Sequence, residues 1–599
     1  MTEHFDIDWQ PLGRHVTVPA RTTLLEAAQS AGVELVSVCG GMGTCGTCRV
    51  RLMSGDLSPV TADEEFELGD DLSRGYRLAC QAEALSAVRL DVPPESLTTP
   101  QRTQTEGAGV DIALDPIVSV IDVTLPVPDF EDLRSDSTRL LNALGTAATS
   151  IDYAALIDLS ERLRAQHWAG RAVIRDRVVM AVVPLQSPVL GLAVDVGTTK
   201  LAAYLIDLES GATLARAGAM NPQIAYGEDV ISRIAYANQN PNGRANLQHK
   251  LIESLNKLVG ELCATIGAAR EAVVEAVIVG NTAMHHLLAG LPVHQLGTSP
   301  YVPAVGEALT VRASDLGLKI SPAAQIYLPP NIAGFVGADH VAMLLGADVC
   351  HTDRTVVAID IGTNTEISVS HRGQLVCCSC ASGPAFEGAH IVDGMRAAPG
   401  AIERIQIIDD EIHLHTIGQQ PPVGICGSGI LDALAELLKA GVLDQRGTLR
   451  RADARVRLRH GKSEFVLVDA AHSGHGREVV VSRGDVNEVQ LAKSAIRVGI
   501  DVLLAESGVR AEDVDEFIVA GAFGTYLDLG SAIRIGMFPD LPRERFKQVG
   551  NAAGTGARQL LLSAERRRIA AEVAQRDRYI ELTTYPDFTT RFVNAMYFG

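Results

Sequence analysis

Apolar positions along the chain switch between a strand-like period of two and a helix-like period near 3.6, and the switches divide it into segments. Residues 1–94 pattern as a small α/β module. An early strand pair precedes Thr23-Leu24-Leu25-Glu26, a capping-box arrangement that predicts a helix from Leu24 to Ala31. A glycine- and cysteine-rich loop follows, then an expected strand from Arg49 to Met53, and Pro93-Pro94 closes the module. From Glu95 to Asp115 the residues turn polar, which predicts a flexible linker over 95–115. A compact segment over 116–187 should carry a strand from Pro116 to Leu125, a helix from Tyr153 to His167 and a strand from Arg177 to Val183.

Over 188–599 strands and helices alternate as in a layered α/β domain, and one unit occurs twice. Leu192-Ala-Val-Asp195-Val-Gly197-Thr198-Thr199-Lys200 leads into an apolar strand, the turn Glu209-Ser-Gly211 and another strand. Val357-Ala-Ile-Asp360-Ile-Gly362-Thr363-Asn364-Thr365 leads into an apolar strand, the turn His371-Arg-Gly373 and another strand. The repeat predicts a duplicated half-domain.

Composition narrows the partners. A chain of 599 residues is too long for one core, so about three or four domains are expected. With 47% hydrophobic and 21% charged residues it has ordinary globular composition. A formal charge of −20 repels nucleic acid and anionic membrane, which points to protein and small-molecule partners instead. The N-terminus lacks a basic stretch followed by an apolar one, and no run of 18 apolar residues occurs, so neither a secretory signal nor a membrane span is expected. Ten cysteines, four of them in one early region, suggest metal binding in a cytoplasmic protein rather than a disulfide framework.

Those four carry the sharpest signal. Cys39-Gly-Gly-Met-Gly-Thr-Cys45-Gly-Thr-Cys48 is followed by Cys80, 32 positions after Cys48. A [2Fe–2S] cluster needs four thiolates, three of which can come from one loop wrapped around it. Gly40, Gly41, Gly43 and Gly46 let backbone approach the sulfurs and aim N–H groups at them. The first two cysteines are spaced as in the adrenodoxin-like branch rather than the plant-type one. A structural zinc site could use the same thiolates but does not need the glycines. Cys263, Cys350, Cys377, Cys378, Cys380 and Cys426 read as buried core residues.

The two Asp-x-Gly-Thr turns suit phosphate. Glycine clears space, backbone N–H and Thr hydroxyl donate to phosphate oxygens, and the Asp can hold a hydrated Mg²⁺ or orient water. Phe517-Ile-Val-Ala-Gly521-Ala522-Phe523-Gly524 reads as a strand entering a glycine turn suited to adenosine. Gly424-Ile-Cys-Gly427-Ser428-Gly429 opens an apolar helix from Ile430 to Leu438, and Val549-Gly550-Asn551-Ala-Ala-Gly554-Thr555-Gly556 opens another. Either helix N-terminus could face a phosphate, or its glycines could serve close packing.

The paired turns and the Ala-Gly-Ala-Phe-Gly segment resemble the acetate kinase, sugar kinase, Hsp70 and actin superfamily. The whole chain resembles the reductive activators of corrinoid-dependent methyltransferases. That likeness rests on Asn221-Pro-Gln-Ile-Ala-Tyr-Gly-Glu-Asp229-Val-Ile-Ser-Arg233, Val279-Gly-Asn281-Thr-Ala-Met-His-His286, Ala381-Ser-Gly-Pro-Ala-Phe-Glu387-Gly and Gln490-Leu-Ala-Lys493. It implies an α/β multidomain fold: an N-terminal β-grasp ferredoxin-like domain, a small middle α/β domain, and a C-terminal duplicated actin/Hsp70-like ATPase domain with two lobes.

The implied activity is one-electron reduction of an inactive Co(II) corrinoid on a partner protein to Co(I), with an external electron donor; a homodimeric activator is compatible with the resemblance. Plant-type clusters sit near about −400 mV. A Co(I) product is expected lower still, and each ~59 mV of uphill gap costs a factor of ten for one electron. ATP would cover that gap. On this reading Cys39, Cys45, Cys48 and Cys80 hold the electron carrier. Asp195, Gly197, Thr198 and Thr199 grip phosphate and Mg²⁺ from one lobe; Asp360, Gly362, Thr363 and Asn364 do so from the other. Gly427 and Ser428 face phosphate, and Gly521, Ala522 and Gly524 border adenosine.

Two other classes remain open to the sequence: a small-molecule kinase with a redox-sensing cluster, and an Hsp70-like assembly factor. No strand is followed by G-x-G-x-x-G, which argues against a built-in flavin or nicotinamide site. His285 and His286 read as core or surface residues rather than cobalt ligands, and Lys200 and Arg233 as solvated surface.

Overall fold

The computed structural model describes residues 4–10, 14–31, 33, 35, 37, 39, 41–92, 96, 112–350, 352–388, 390–450 and 453–599. Most of the expected linker, Pro93-Pro94 and Gly40 lie outside them.

The first module is a five-stranded sheet in the order Arg14–Pro19, His4–Gln10, Val88–Asp91, Arg49–Ser54, Tyr76–Leu78. His4–Gln10 pairs parallel with Val88–Asp91, while the other neighbours run antiparallel. This is the β-grasp arrangement. The helix Leu24–Ser30 starts where Thr23 and Glu26 cap each other, and it buries Leu24, Leu25, Ala27 and Ala28. Trp9 and Ile7 complete that core.

Residues 118–183 form a four-stranded sheet in the order Val118–Thr124, Ala169–Arg175, Val178–Val183, Ser150–Ile151. The expected helix from Tyr153 to His167 is broken into Tyr153–Leu156 and Leu159–Ala165. Its apolar face is not continuous: Leu159 and Leu163 are buried while Tyr153 and Ile157 point to solvent. The sheet docks through ion pairs, Arg175 with Glu275 and Arg312 with Asp152. Glu275 also pairs with Arg567, so one buried carboxylate joins three parts of the chain. Asp115 is held on both sides, its N–H donating to Leu562 and its carbonyl accepting from Ala564.

The duplicated unit is realised as two sheets of the same topology. In the first lobe, Thr213–Met220, Lys200–Asp207 and Leu190–Val196 form an antiparallel meander, and Val273–Gly280 and Gln325–Leu328 extend it in parallel. In the second, Gln374–Cys380, Thr365–His371 and Val356–Ile361 are extended in parallel by Glu516–Ala520 and Phe546–Gly550. Each Asp-x-Gly-Thr turn therefore joins the central strand of a lobe to its antiparallel neighbour. Both turns sit at the same edge of their sheets.

The lobes meet where the helices Ala338–Gly346 and Ala552–Leu562 cross. Contact is backbone to backbone: a Cβ on Gly556 would lie 1.8 Å from the Ala342 carbonyl oxygen, and one on Gly346 2.2 Å from that of Ala552. Apolar residues of both sheets and of the 118–183 sheet share one core around this crossing. Among the described residues, no helix is long and apolar enough to cross a membrane.

Gly556→Ala should therefore destabilise the two-lobed region by about 1–3 kcal/mol, read as a lowered urea midpoint. An unchanged midpoint would show that the crossing can loosen without loss.

Candidate functional site

The four early cysteines come together at one end of the first module. Cys48 directly precedes the strand Arg49–Ser54, and Cys80 follows Tyr76–Leu78. Ala79 N–H donates to the Cys48 carbonyl at 2.8 Å, which locks the two segments side by side. Behind Cys80, Arg77 makes a two-pronged bond to the buried Glu64, whose Oε1 also accepts from Leu78 N–H at 3.0 Å. In the loop, Gly43 has φ +82°, and a Cβ there would sit 2.7 Å from Gln81 Nε2. No other residue type fits that approach without displacing Gln81.

Cys45 Sγ lies 3.3 Å from Cys39 Sγ, and the Cys80 thiol bonds to both Cys39 and Cys48. The four sulfurs thus form one chain of contacts. Hydrogen bonds from Cys45 and Cys80 hold Cys39 below the usual thiol range, and that from Cys80 does the same for Cys48. The same bonds, with burial, push Cys45 and Cys80 above it. Four crowded thiols, two inclined to ionise, form a soft anionic donor set. A binuclear cluster takes two thiolates per iron and fits such an extended chain. Among the described residues, no three donors focus on a single ion.

The second site is the cleft between the lobes. Asp195, Gly197, Thr198 and Thr199 line it from one side, and Asp360, Gly362, Thr363 and Asn364 from the other. Glu387 ties the two turns together: Thr199 Oγ1 donates to one carboxylate oxygen at 2.8 Å and Thr363 Oγ1 to the other at 2.5 Å. Asn551 Nδ2 donates to Asp195 Oδ2 at 2.9 Å, and Asn281 Nδ2 to Thr198 Oγ1 at 3.0 Å. Gly427 and Ser428 reach the cleft at the start of the helix Gly427–Lys439. Gly427 also packs closely, since a Cβ would meet the Phe386 carbonyl.

Four carboxylates converge on the cleft floor: Asp195, Asp339, Asp360 and Glu366. Burial raises Asp195 to about 6; burial and then the Asp195 charge raise Asp360 to about 7. Burial followed by repulsion from Asp195 and Asp360 carries Asp339 to about 8. Glu366 is pushed well up by burial and then by Asp339 and Asp360. Such a group favours protons, and, with no three of its members focused on one point, could face a divalent cation only through that ion's water shell.

Gly521 lies against Asp360, at φ +90° with a Cβ only 2.6 Å from Asp360 Oδ1. Phe523 and Tyr526 line the cleft beside it, and Phe523 stacks on Phe386 at 4.9 Å between ring centroids. Gly524 does not line it; a Cβ there would meet the Val519 side chain of the preceding strand at 2.9 Å. Ala522 opens the same short helix, Gly521–Tyr526.

Two sequence expectations need correction. Arg233 is buried, not solvated: Nη2 donates to the Thr198 carbonyl at 2.5 Å and Nε to that of Gly227 at 2.8 Å. Burial lowers its pKa to about 9. Lys200 lines the cleft rather than the outer surface, and burial lowers its pKa. Arg233 is placed by its bond to the Thr198 carbonyl of the Asp195 turn, and Lys200 by following that turn directly into the cleft. The histidines are core residues, as expected. His286 Nε2 accepts from Ala304 and Val305, and burial holds His285 at about 3. Cys377, Cys378 and Cys380 are buried on the strand Gln374–Cys380.

The chain matches four family models: a 2Fe-2S iron-sulfur cluster binding domain over 7–85, a RACo linker region over 108–187, a RACo middle region over 190–352, and the C-terminal ASKHA domain of RACo over 354–599. It is 31% identical to the corrinoid activation enzyme RamQ of Eubacterium limosum, covering 98% of each chain. It is 28% identical to the [Co(II) methylated amine-specific corrinoid protein] reductase of Methanosarcina barkeri, over 64% of this chain and 72% of that one. A solved structure described as a reductive activator for corrinoid,iron-sulfur protein superposes with a TM-score of 0.73 at 34% identity, covering 99% of this chain and 98% of that one.

The raised carboxylates predict a pH effect with a definite sign. A folded-state pKa above the ordinary 3.8 means that the folded state holds extra protons, so stability falls as pH rises from about 4 through about 8. With EDTA present, Asp339→Asn should gain stability over the unsubstituted protein, by a margin that widens across that interval. A thermal-unfolding difference that stays constant with pH would contradict the assignment.

Proposed function

The chain belongs to the family of reductive activators of corrinoid proteins, and from that membership we propose that it spends ATP to drive one-electron reduction of a protein-bound corrinoid from Co(II) to Co(I). The observation that carries this reading is the cleft in which two Asp-x-Gly-Thr turns face each other, in the same chain as a four-thiol loop.

A [2Fe–2S] cluster held by Cys39, Cys45, Cys48 and Cys80 supplies a one-electron carrier when bound. The chain's own residues do the rest. The Cys39–Cys48 loop lies at the surface, with Met42 at its tip 64% exposed, so a partner can approach the carrier closely. In the cleft, backbone N–H groups and hydroxyls of Gly197, Thr198 and Thr199, and of Gly362, Thr363 and Asn364, take the phosphates from two sides. Asp195 and Asp360, with Asp339 and Glu366, would hold hydrated Mg²⁺, which neutralises charge along the phosphates. The start of the helix Gly427–Lys439 adds N–H donors at Gly427 and Ser428. Gly521, Phe523 and Tyr526 border the adenosine, Gly521 leaving room beside Asp360; Ala522 and Gly524 complete the turn.

Glu387 occupies both turns through Thr199 and Thr363. A phosphate entering there must displace it, because two anions cannot share those donors. Nucleotide binding therefore exchanges one inter-lobe tie for another, and the Gly346–Gly556 crossing is where the lobes can turn. Two lobe states with different affinities for the Co(II) and Co(I) forms of a partner convert ATP turnover into an uphill transfer. The electron donor is external, the location cytoplasmic, and a homodimer fits the family; these three belong to the same proposal.

The decisive assay is anaerobic visible spectroscopy of a purified corrinoid protein with reductant. The Co(I) band should appear with this protein and ATP together, and with neither alone; its absence from the complete mixture overturns the reading. Cys45→Ala should abolish Co(I) formation while sparing ATP hydrolysis. If both activities survive the substitution, the thiol loop is not the electron carrier.

A further inference from the structure

We propose that Arg396 is the residue that makes this cleft distinguish ATP from ADP, with Glu228 as the partner it leaves when a terminal phosphate arrives. The inference rests on the ATP reading above and names the residue that reads the third phosphate.

Arg396 enters the cleft from the second lobe, on the wall that also carries Glu387. Its side chain is only 13% exposed, and neither terminal guanidinium nitrogen has a hydrogen-bond partner. Glu228 Oε1, across in the first lobe, lies 3.5 Å from Nη2, an ion pair without a good hydrogen bond. Glu228 is itself 4% exposed, and its Oε2 has no partner either. Burial, only partly offset by Arg396, raises its carboxyl to about 7. Two buried charged groups that attract each other and satisfy neither are a strained resting arrangement. A guanidinium fork with free nitrogens is suited to two oxygens of one phosphate.

Position identifies which phosphate. Arg396 interacts electrostatically with Lys200, the residue that ends the first phosphate turn. Lys200 also feels the charge of Glu387, which holds both turns through Thr199 and Thr363, and Glu228, 3.5 Å from Arg396, is joined through Arg233 to the Thr198 carbonyl of the first turn. The free fork therefore lies beside the junction of the two turns, where the chain end of a triphosphate is gripped from both lobes.

Glu228 is connected onward. Arg233 bonds the carbonyls of Thr198 and Gly227, and its Nη2 reaches that of Glu228 at 3.4 Å. The first phosphate turn and the Gly227-Glu228 segment are thus one unit. Three residues before Glu228, the Ala225 carbonyl accepts from Gln29 Nε2 of the first module at 3.2 Å. Loss of Arg396 from Glu228 changes the charge balance of a segment that this bond joins to the first module.

The test is calorimetric titration of the full-length, cluster-loaded protein with Mg·ADP and with Mg·β,γ-imido-ATP. The unsubstituted protein should bind the triphosphate analogue more tightly. Arg396→Gln should weaken analogue binding about tenfold or more while ADP affinity stays within about twofold. Arg396→Lys should recover part of the loss, and Glu228→Gln, which removes the competing carboxylate, should leave analogue affinity equal or higher. If Arg396→Gln weakens both nucleotides equally, or neither, the proposal is overturned while the ATP site stands. If the unsubstituted protein binds neither nucleotide, the ATP reading fails and this one with it.

Discussion

The architecture depends on two helices that touch through backbone. Where Ala338–Gly346 crosses Ala552–Leu562, Gly346 and Gly556 leave no room for a Cβ, and the lobes are drawn to the distance at which their turns face each other. A larger residue at either glycine would move the lobes apart and pull Asp195 away from Asp360. Asn551, one residue before the second helix, binds Asp195 and sets the twist of one lobe on the other. Asp339 sits in the first turn of the first helix, so the crossing also delivers a carboxylate to the cleft floor.

That closeness has an electrostatic consequence. Asp195, Asp339, Asp360 and Glu366 are brought together out of water; burial raises all four, and the charge of Asp195 further raises Asp360 and Asp339, as Asp339 and Asp360 raise Glu366. Nearby, Glu387, Glu228, Arg396, Lys200 and Arg233 form a mixed group in which Arg396 and Glu228 stand 3.5 Å apart without a good hydrogen bond. On the proposed function, the metal cation and phosphate oxygens of a nucleotide would complete this arrangement. The thiol loop obeys the same logic on a smaller scale: four crowded sulfurs whose protonation is shared until a metal takes over. In both places the protein holds like charges together, and the bound group resolves the repulsion.

Much of this was legible before any coordinates. The capping box Thr23/Glu26, the cysteine spacing and the two Asp-x-Gly-Thr turns are short-range patterns whose residues must lie near each other in any fold. The sheets around the two turns repeat strand for strand, as the duplicated unit predicted. The helix expected from Tyr153 to His167 failed because composition alone did not show that Tyr153 and Ile157 face solvent. Arg233 looked like a surface charge because nothing local marks a cation that will be buried against the Thr198 carbonyl 35 residues away, and Lys200 because its turn does not by itself show that the second lobe covers it.

The sequence by itself determined the chemistry available: four thiolates on a glycine-rich loop, two phosphate turns and a negatively charged surface. Only the tertiary structure decided how that chemistry is joined. Glu387 reaches Thr199 across 188 residues, and Asn551 reaches Asp195 across 356. Asp339 and Arg396 belong to no motif in the sequence, and nothing in the Asn221–Arg233 segment marked Glu228 as a cleft residue. The physical reason is that a motif records contacts between chain neighbours, whereas burial and charge coupling depend on which distant segments the fold brings within a few ångströms.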